Sequence, residues 1–327
     1  MIISRTPLRV SFFGGGSDLP AFYRRHGGAV LSTAIDKSVY VTVSRKFDDA
    51  VRVSYSRTEE VSCSRDVEHP LVREALGLLG ITGGIEITSV ADIPARGTGL
   101  GSSSAFTVGL LNALHAYQGR HAAADQLAEE SCRIEIERCD EPIGKQDQYA
   151  AAFGGLNLIR FHPDESVEVT KVICPPDALA ELKRRLMFFY TGTTRSASPL
   201  LAQQSANVAA DGPAFHATRE LTSLAETAFK MLCAGDVSPL GQMLHQAWRL
   251  KRELASGIST TAIDLAYDAA LAAGAEGGKL LGAGGGGFLM FLAPPERHEA
   301  VRASLGGLRE TPLGLAGQGS RIIFVHE

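Results

Sequence analysis

A chain of 327 residues with 45% hydrophobic side chains can bury a sizeable core and, at that length, divide into two domains. Its net charge of -4, with both signs interspersed, excludes the basic profile of a nucleic-acid or anionic-membrane binder, and no apolar run reaches transmembrane length. Five cysteines (Cys63, Cys132, Cys139, Cys174, Cys233) without C-x-x-C spacing argue against a disulfide framework. The N-terminal MIISRTPLRV runs into strand-like sequence and not into a cleavable signal, so a reduced, cytoplasmic protein is expected.

In chain order, Leu8, Val10 and Phe12 alternate with Arg9 and Ser11, which predicts a half-buried strand ending at Gly14-Gly15-Gly16. Val39, Val41 and Val43, then Val51 and Val53, predict two more strands. A helix over 72–79, a strand through Ile85 and Ile87, helices over 103–117 and 123–139, and strands over 154–161 and 167–173 follow. Composition shifts at Cys174, Pro175 and Pro176, which predicts a joint between domains 1–175 and 176–327. Beyond it come an apolar strand over 186–190, helices over 214–234, 237–255 and 260–273, a strand over 288–292, a helix after Pro294 and a strand over 322–325. Strands and helices mix without regular βαβ alternation, so the class is α+β.

Residues 93–112, IPARGTGLGSSSAFTVGLLN, carry the clearest chemical signal. Gly97, Gly99 and Gly101 alternate with other residues, Ser102, Ser103 and Ser104 follow, and Phe106, Leu110, Leu111 and Leu114 recur at helical spacing. A loop feeding a helix in this way turns backbone amides and a positive dipole end toward a phosphate; a flexible loop with a serine cap is the plainer alternative. The lysine of a P-loop is missing and the spacing is not G-x-G-x-x-G, so amides and hydroxyls must do the binding. A hydroxyl at the helix start also suits the Mg²⁺ that accompanies ATP. GAGGGG at 282–287 does fit G-x-G-x-x-G, but the strand-like FLMFL follows it where a dinucleotide site needs a helix. That leaves close packing of a loop under a neighbour.

PARGTGLGSSSAF resembles the second signature of the GHMP kinases, and residues 7–18 and 279–287 resemble the first and third. The resemblance spans the chain. It implies a two-domain fold, an N-terminal ribosomal-protein-S5-like α/β domain and a C-terminal ferredoxin-like α+β domain, with the active site in the cleft between them. It implies ATP and Mg²⁺ as cofactors, with ATP held by Gly97, Gly99, Leu100, Gly101, Ser102, Ser103 and Ser104. Asp147, in IGKQDQYAAAFGG, matches the catalytic base, and Arg9 would stabilise its charge and the negative charge that develops in transfer. Lys145 could assist or be a surface lysine. Glu135, seven residues before Pro142, would share Mg²⁺ with Ser103, Glu137 being the weaker candidate. Ser102 and Ser104 would orient phosphate oxygens. Gly15, Gly16, Ser17 and Asp18 would meet the acceptor, as would Gly284 and Gly285 of the third signature. Gly15-Gly16 stands where galactokinase has Glu-His, which argues against galactose.

FFGGGSDLPAFY, GKQDQYAAAFGGLN, YTGTTRSAS, LHQAWRLKRELASGIS and GGKLLGAGGGGF resemble the sugar-phosphate branch of the family, typified by D-glycero-D-manno-heptose 7-phosphate kinases, which act on the anomeric hydroxyl. The implied product is a heptose 1,7-bisphosphate for nucleotide-activated heptose and surface polysaccharide. An acceptor that already bears phosphate calls for cations, and Arg195 and Lys251 stand first, with Arg249 and Arg252 behind them. The expected partners are a small-molecule sugar phosphate and ATP, with no nucleic acid and no membrane; a homodimer is compatible with the composition. A kinase of L-fucose, L-arabinose or an octose phosphate, or a non-catalytic sugar or ATP sensor on the same fold, are the other readings. Asp147, Glu135, Ser103 and Arg9 together favour an enzyme.

Overall fold

In the computed structural model, which describes residues 1–93, 97–194 and 197–326, the alternating N-terminal segment forms β1 (Ile2–Phe13). It is not half-buried along its length: from Thr6 to Phe13 every residue is buried, because α-helices cover one face and the second half of the chain covers the other. After α1 (Pro20–His26) the chain returns as the 18-residue β2 (Gly28–Arg45), antiparallel to β1. β3 (Val51–Ser54) and β4 (Thr58–Val61) form a hairpin, followed by α2 (Pro70–Leu78) and β5 (Ile85–Ala91). Then come α3 (Ser102–Tyr117), α4 (Ala124–Cys132), α5 (Gln146–Phe153), β6 (Leu156–Phe161) and β7 (Val167–Lys171). β2 divides its length: Gly28 to Thr33 pair with β6, Val39 to Arg45 with β5.

The second half runs α6 (Pro176–Arg185), β8 (Leu186–Tyr190), α7 (Ser198–Ala209), α8 (Pro213–Ala234), α9 (Leu240–Arg252), α10 (Thr261–Ala272), β9 (Gly277–Leu280), β10 (Phe288–Leu292), α11 (His298–Ser304) and β11 (Arg309–Glu310). The apolar runs LMFFY and FLMFL pair antiparallel at the centre of a four-stranded sheet, β11-β8-β10-β9, where burial on both faces accounts for their unbroken hydrophobicity. The joint expected at Cys174, Pro175 and Pro176 falls where the chain leaves the first sheet. It does not close that sheet, however. β12 (Leu315–Ala316) and β13 (Arg321–Val325) come back to pair with β2 and β1, completing nine strands, so the tail of the second half belongs in space to the first.

The helix expected over 123–139 stops at Cys132 and continues as a π-helical turn, Arg133–Arg138. Such a turn shifts side-chain phase and commonly marks a functional position; here it carries Glu135 inward. Among the described residues no helix is long and apolar enough to cross a membrane.

Candidate active site

Arg9 sits on β1 where its backbone N–H donates to the Leu100 carbonyl at 3.0 Å, tying the strand to the glycine loop. Its guanidinium is spent on three bonds: Nε to Asp147 Oδ1 at 2.7 Å, Nη2 to Oδ2 at 2.7 Å, and Nη1 to the Gly99 carbonyl at 2.6 Å. The planar fork makes the two-armed carboxylate contact a lysine could not. Arg9 is 7% exposed in its side chain and Asp147 24%, so the cation is interior and the carboxylate has an open side. Asp147 lies in the first turn of α5, where the helix dipole favours an anion.

The glycine loop rests on this pair. Gly101 takes φ +73° as the residue capping α3, and a β-carbon on it would stand 3.1 Å from Arg9 Cγ and 3.2 Å from Asp147 Oδ2. Any side chain there would need both strained backbone and displacement of Arg9 and Asp147. Gly97 and Gly99 also take positive φ, and the loop delivers the N-terminus of the 16-residue α3 beside Asp147. Ser102 Oγ and Thr98 Oγ1 are buried in this loop without a hydrogen-bond partner among the described residues. Leu100 is a core side chain that contributes only its backbone.

Glu135 is 1% exposed and accepts from four neutral donors: Ser103 Oγ at 3.1 Å, Ser104 Oγ at 2.7 Å, Thr107 Oγ1 at 3.2 Å and Gln148 Nε2 at 2.5 Å. Burial outweighs these bonds and raises its pKa from 4.5 to about 7. Ser104 is therefore turned to Glu135 and not to phosphate, which corrects the role expected of it. Ser103 is exposed at the loop mouth, and Glu137 faces solvent. The buried Glu135 carboxylate and the exposed Ser103 hydroxyl beside it are hard oxygen donors of the kind Mg²⁺ takes. That ion takes one or two protein oxygens and completes its shell with phosphate and water.

Asp18, 3% exposed, lies against Gln146, the residue before Asp147. Gly16 N–H donates to Oδ1 at 3.0 Å, and Gln146 donates from its backbone to Oδ2 at 3.3 Å and from Nε2 to Oδ1 at 3.0 Å. Burial, and next the charge of Asp147, raise the Asp18 pKa above its ordinary 3.8. Gln146 Oε1 and Ser11 Oγ are buried and unpartnered around Gly15. Gln146, Gln148 and Thr107 were not anticipated from the sequence; the amides flanking Asp147 in KQDQ were the available signal. Ser17 is a correction. Its one hydroxyl proton is shared between the carbonyls of Gly14 at 2.7 Å and Ala29 at 3.1 Å, its oxygen accepts from Ala29 N–H at 3.1 Å, and it is fully buried, so it pins the loop from behind and is closed to an acceptor. Lys145 turns from the site toward Glu165, at 2.5 Å.

The third glycine run docks from the second half. Gly287 and Gly282 press on Thr98 and Gly99, Gly284 on Ile258, and Gly285 N–H donates to the Ile258 carbonyl at 2.9 Å. Lys251 also differs from expectation: it is 7% exposed, and Nζ donates to the carbonyls of Leu280, at 3.1 Å, and Gly282. It holds this loop and is closed to an acceptor phosphate. Lys279, likewise buried, donates to the Phe12 carbonyl at 3.1 Å and so joins the two sheets. Arg249 is exposed, Arg252 pairs with Asp264 at 3.3 Å, and Arg195 lies outside the described residues.

The chain matches the GHMP kinases N terminal domain over residues 67–155 and the GHMP kinases C terminal domain over 228–307, together just over half its length. It is 26% identical over 324 residues to a D-glycero-alpha-D-manno-heptose 7-phosphate kinase of Campylobacter jejuni, covering 92% of each chain. It is 26% identical to the bifunctional fucokinase/GDP-fucose pyrophosphorylase of Arabidopsis thaliana, of whose length it spans 30%. In three dimensions it superposes on a D-glycero-D-manno-heptose 1-phosphate kinase from Bacteroides thetaiotaomicron with a TM-score of 0.82 at 23% identity, over 100% of both chains. With three glycine-rich signatures meeting around one Arg-Asp pair and both halves matched, the chain belongs to the GHMP kinases, a family of ATP-dependent phosphotransferases.

Proposed function

We propose that this protein transfers the γ-phosphoryl group of ATP to the anomeric hydroxyl of D-glycero-D-manno-heptose 7-phosphate, giving the 1,7-bisphosphate for nucleotide-activated heptose and surface polysaccharide. The observation that carries the reading is the pair of residues opening α5: Gln146 binds Asp18, and its neighbour Asp147 is gripped by Arg9. A carboxylate suited to sugar hydroxyls and a carboxylate suited to accept a proton thus meet at one helical turn, the first bound by Gln146 and the second carried by Asp147. The relative from Campylobacter jejuni, similar over 92% of both chains, supports the choice of acceptor.

In this reading the amides of Gly99 to Gly101 and the start of α3 cradle the ATP phosphates. Asp18 and Gln146 orient the sugar. As the anomeric oxygen bonds to the γ-phosphorus, the bond from that phosphorus to the β,γ-bridging oxygen breaks and ADP leaves. The hydroxyl proton passes to Asp147. Arg9 fixes the direction of that carboxylate and balances the charge that accumulates beside it, the main protein contribution in a loose phosphoryl-transfer transition state. Ser103 and Glu135 would hold Mg²⁺, which when bound neutralises charge on the β- and γ-phosphates. Arg195 is proposed as the contact for the acceptor's own phosphate.

ATP consumption is measured across D-glycero-D-manno-heptose 7-phosphate, the unphosphorylated heptose, L-fucose, L-arabinose and an octose phosphate, with the product identified by NMR. The expected result is phosphorylation at C1 of the heptose 7-phosphate, preferred over the free heptose by about 10- to 150-fold, the worth of a charge-assisted hydrogen bond. Equal use of the free sugar would replace the reading with that of a free-sugar kinase.

A further inference from the structure

The helix α7 was not read from the sequence, and it is placed over the acceptor side of the site. Ser198 Oγ at its start donates to Glu141 Oε2 at 2.7 Å, tying it to the loop before α5. Gln203 Nε2 donates to Ser256 Oγ at 3.0 Å and Asn207 Nδ2 to the Leu254 carbonyl at 2.9 Å, tying it to the segment that seats the third glycine run. Leu200 Cδ2 lies 3.1 Å from the β-carbon position of Gly284. Three separate loops therefore converge on one helix of 12 residues.

Only Gln204 and Val208 are buried on α7, and Gln204 is 3% exposed. Its amide sits directly on the substrate loop: a β-carbon on Gly16, which takes φ +100°, would lie 2.3 Å from Gln204 Nε2. No hydrogen bond joins that amide to another described residue. The side chain is packed in, yet its amide donors and acceptor remain uncommitted to the protein and can be given to a ligand. Two fully buried polar atoms without a hydrogen-bond partner belong to residues beside the same Gly15-Gly16 dipeptide, Gln146 Oε1 and Ser11 Oγ. All three are neutral. An anion would call for a cation; neutral groups that both donate and accept match the hydroxyls of a polyol.

We infer that Gln204 is a specificity-determining residue, reaching from α7 across Gly16 to hydrogen-bond a hydroxyl of the acceptor sugar. This rests on the sugar-kinase reading above. It makes α7 the part of the pocket wall that inspects the acceptor, opposite Asp18 and Gln146. It also gives Gly16 a second reason to lack a side chain, since a methyl group there would take the place of the amide.

Steady-state kinetics of wild type and Gln204→Leu are compared on D-glycero-D-manno-heptose 7-phosphate and its monodeoxy analogues, with ATP varied separately. Gln204→Leu is expected to lower kcat/KM for the acceptor about 10- to 100-fold with the KM for ATP and the melting temperature unchanged. One deoxy analogue should be penalised strongly by wild type and hardly at all by the variant, because the same contact is already gone. Gln204→Met, closer in shape, should behave as Gln204→Leu does, and serves should leucine disturb the fold. Deoxy penalties identical in wild type and both variants would overturn the inference and reduce Gln204 to packing. If wild type does not phosphorylate the heptose 7-phosphate at all, the acceptor reading fails instead, and the comparison is run on the monodeoxy analogues of whichever panel sugar turns over, with the same two outcomes.

Discussion

Gly99 and Gly282 touch backbone to backbone: a β-carbon on Gly282 would stand 2.3 Å from the α-carbon of Gly99, and one on Gly99 would stand 2.5 Å from the Leu281 carbonyl oxygen. Two glycine-rich runs from opposite halves of the chain are thereby a single packed unit. Gly282→Ala must separate them. The substitution meets a positive φ of 70°, costing about 1–2 kcal/mol in itself, and a clash with backbone that cannot rotate aside. The melting temperature should fall by several degrees and the KM for ATP should rise, with the acceptor KM moving less. Unchanged melting and ATP kinetics would mean that the two runs have slack and do not support one another.

Motif residues with charge were legible in the sequence, and their positions in space follow in part from elements that were also legible. Arg9 is on an alternating strand and the loop between Gly97 and Gly101 announces itself by its glycines, whereas the short helix that Asp147 opens was not read. What escaped were groups whose role depends on a neighbour far along the chain. Gln204 carries no charge and stands in SPLLAQQSANVA, whose scattered polar residues hide a helix, and its meaning comes only from Gly16. Lys251 reads the same in sequence whether its ammonium meets solvent or backbone carbonyls. A π-helical turn at 133–138 changes phase without changing composition, so the burial of Glu135 and its neutral donors could not be read. The return of β13 to β1 pairs the two ends of the molecule, Ile2 with Val325, which no local pattern encodes.

Asp147→Asn keeps the shape of the side chain and one arm of the contact with Arg9 but cannot accept the acceptor's proton. Turnover should fall by about 10²- to 10⁴-fold, the usual worth of a general base, while ATP and sugar binding measured by calorimetry stay close to wild type. A loss of less than tenfold in kcat would remove Asp147 from the role of base and leave it as the partner that positions Arg9.

Metal dependence separates Ser103 and Glu135 from the other hydroxyls around them. Ser103→Ala and Glu135→Gln should each raise the Mg²⁺ concentration that gives half-maximal rate, since each removes or weakens a hard oxygen donor. Thr107→Val, which removes a 3.2 Å bond to the same carboxylate from the interior side, should move that concentration far less. If Thr107→Val matches Glu135→Gln, the carboxylate is a structural hub and the metal is held by phosphate and water alone.

The buried lysines make stability depend on pH in a direction opposite to that of a solvent-exposed ion pair. Burial, and next the charge of Arg9, lower the pKa of Lys251 from 10.5 to about 7; Lys279 is lowered by burial, then by Lys251 and Arg9. In the unfolded chain a lysine keeps its proton up to about pH 10.4. Between pH 7 and that value the unfolded state therefore binds more protons than the native state, and native stability rises with pH; below pH 7 native Lys251 is protonated too and its contribution is flat at its least favourable value. Lys251→Met has no such titration. The unfolding free energy of wild type minus that of the variant, from urea melts at several pH values, should grow from pH 7 toward pH 10 with a slope of at most about 1.4 kcal/mol per unit. The proposed preference for phosphorylated over free heptose should survive in Lys251→Met, because the Lys251 amino group is already engaged by Leu280 and Gly282. A difference that does not vary with pH, together with a lost preference for the phosphorylated sugar, would show that Lys251 reaches into the cleft and clamps the acceptor.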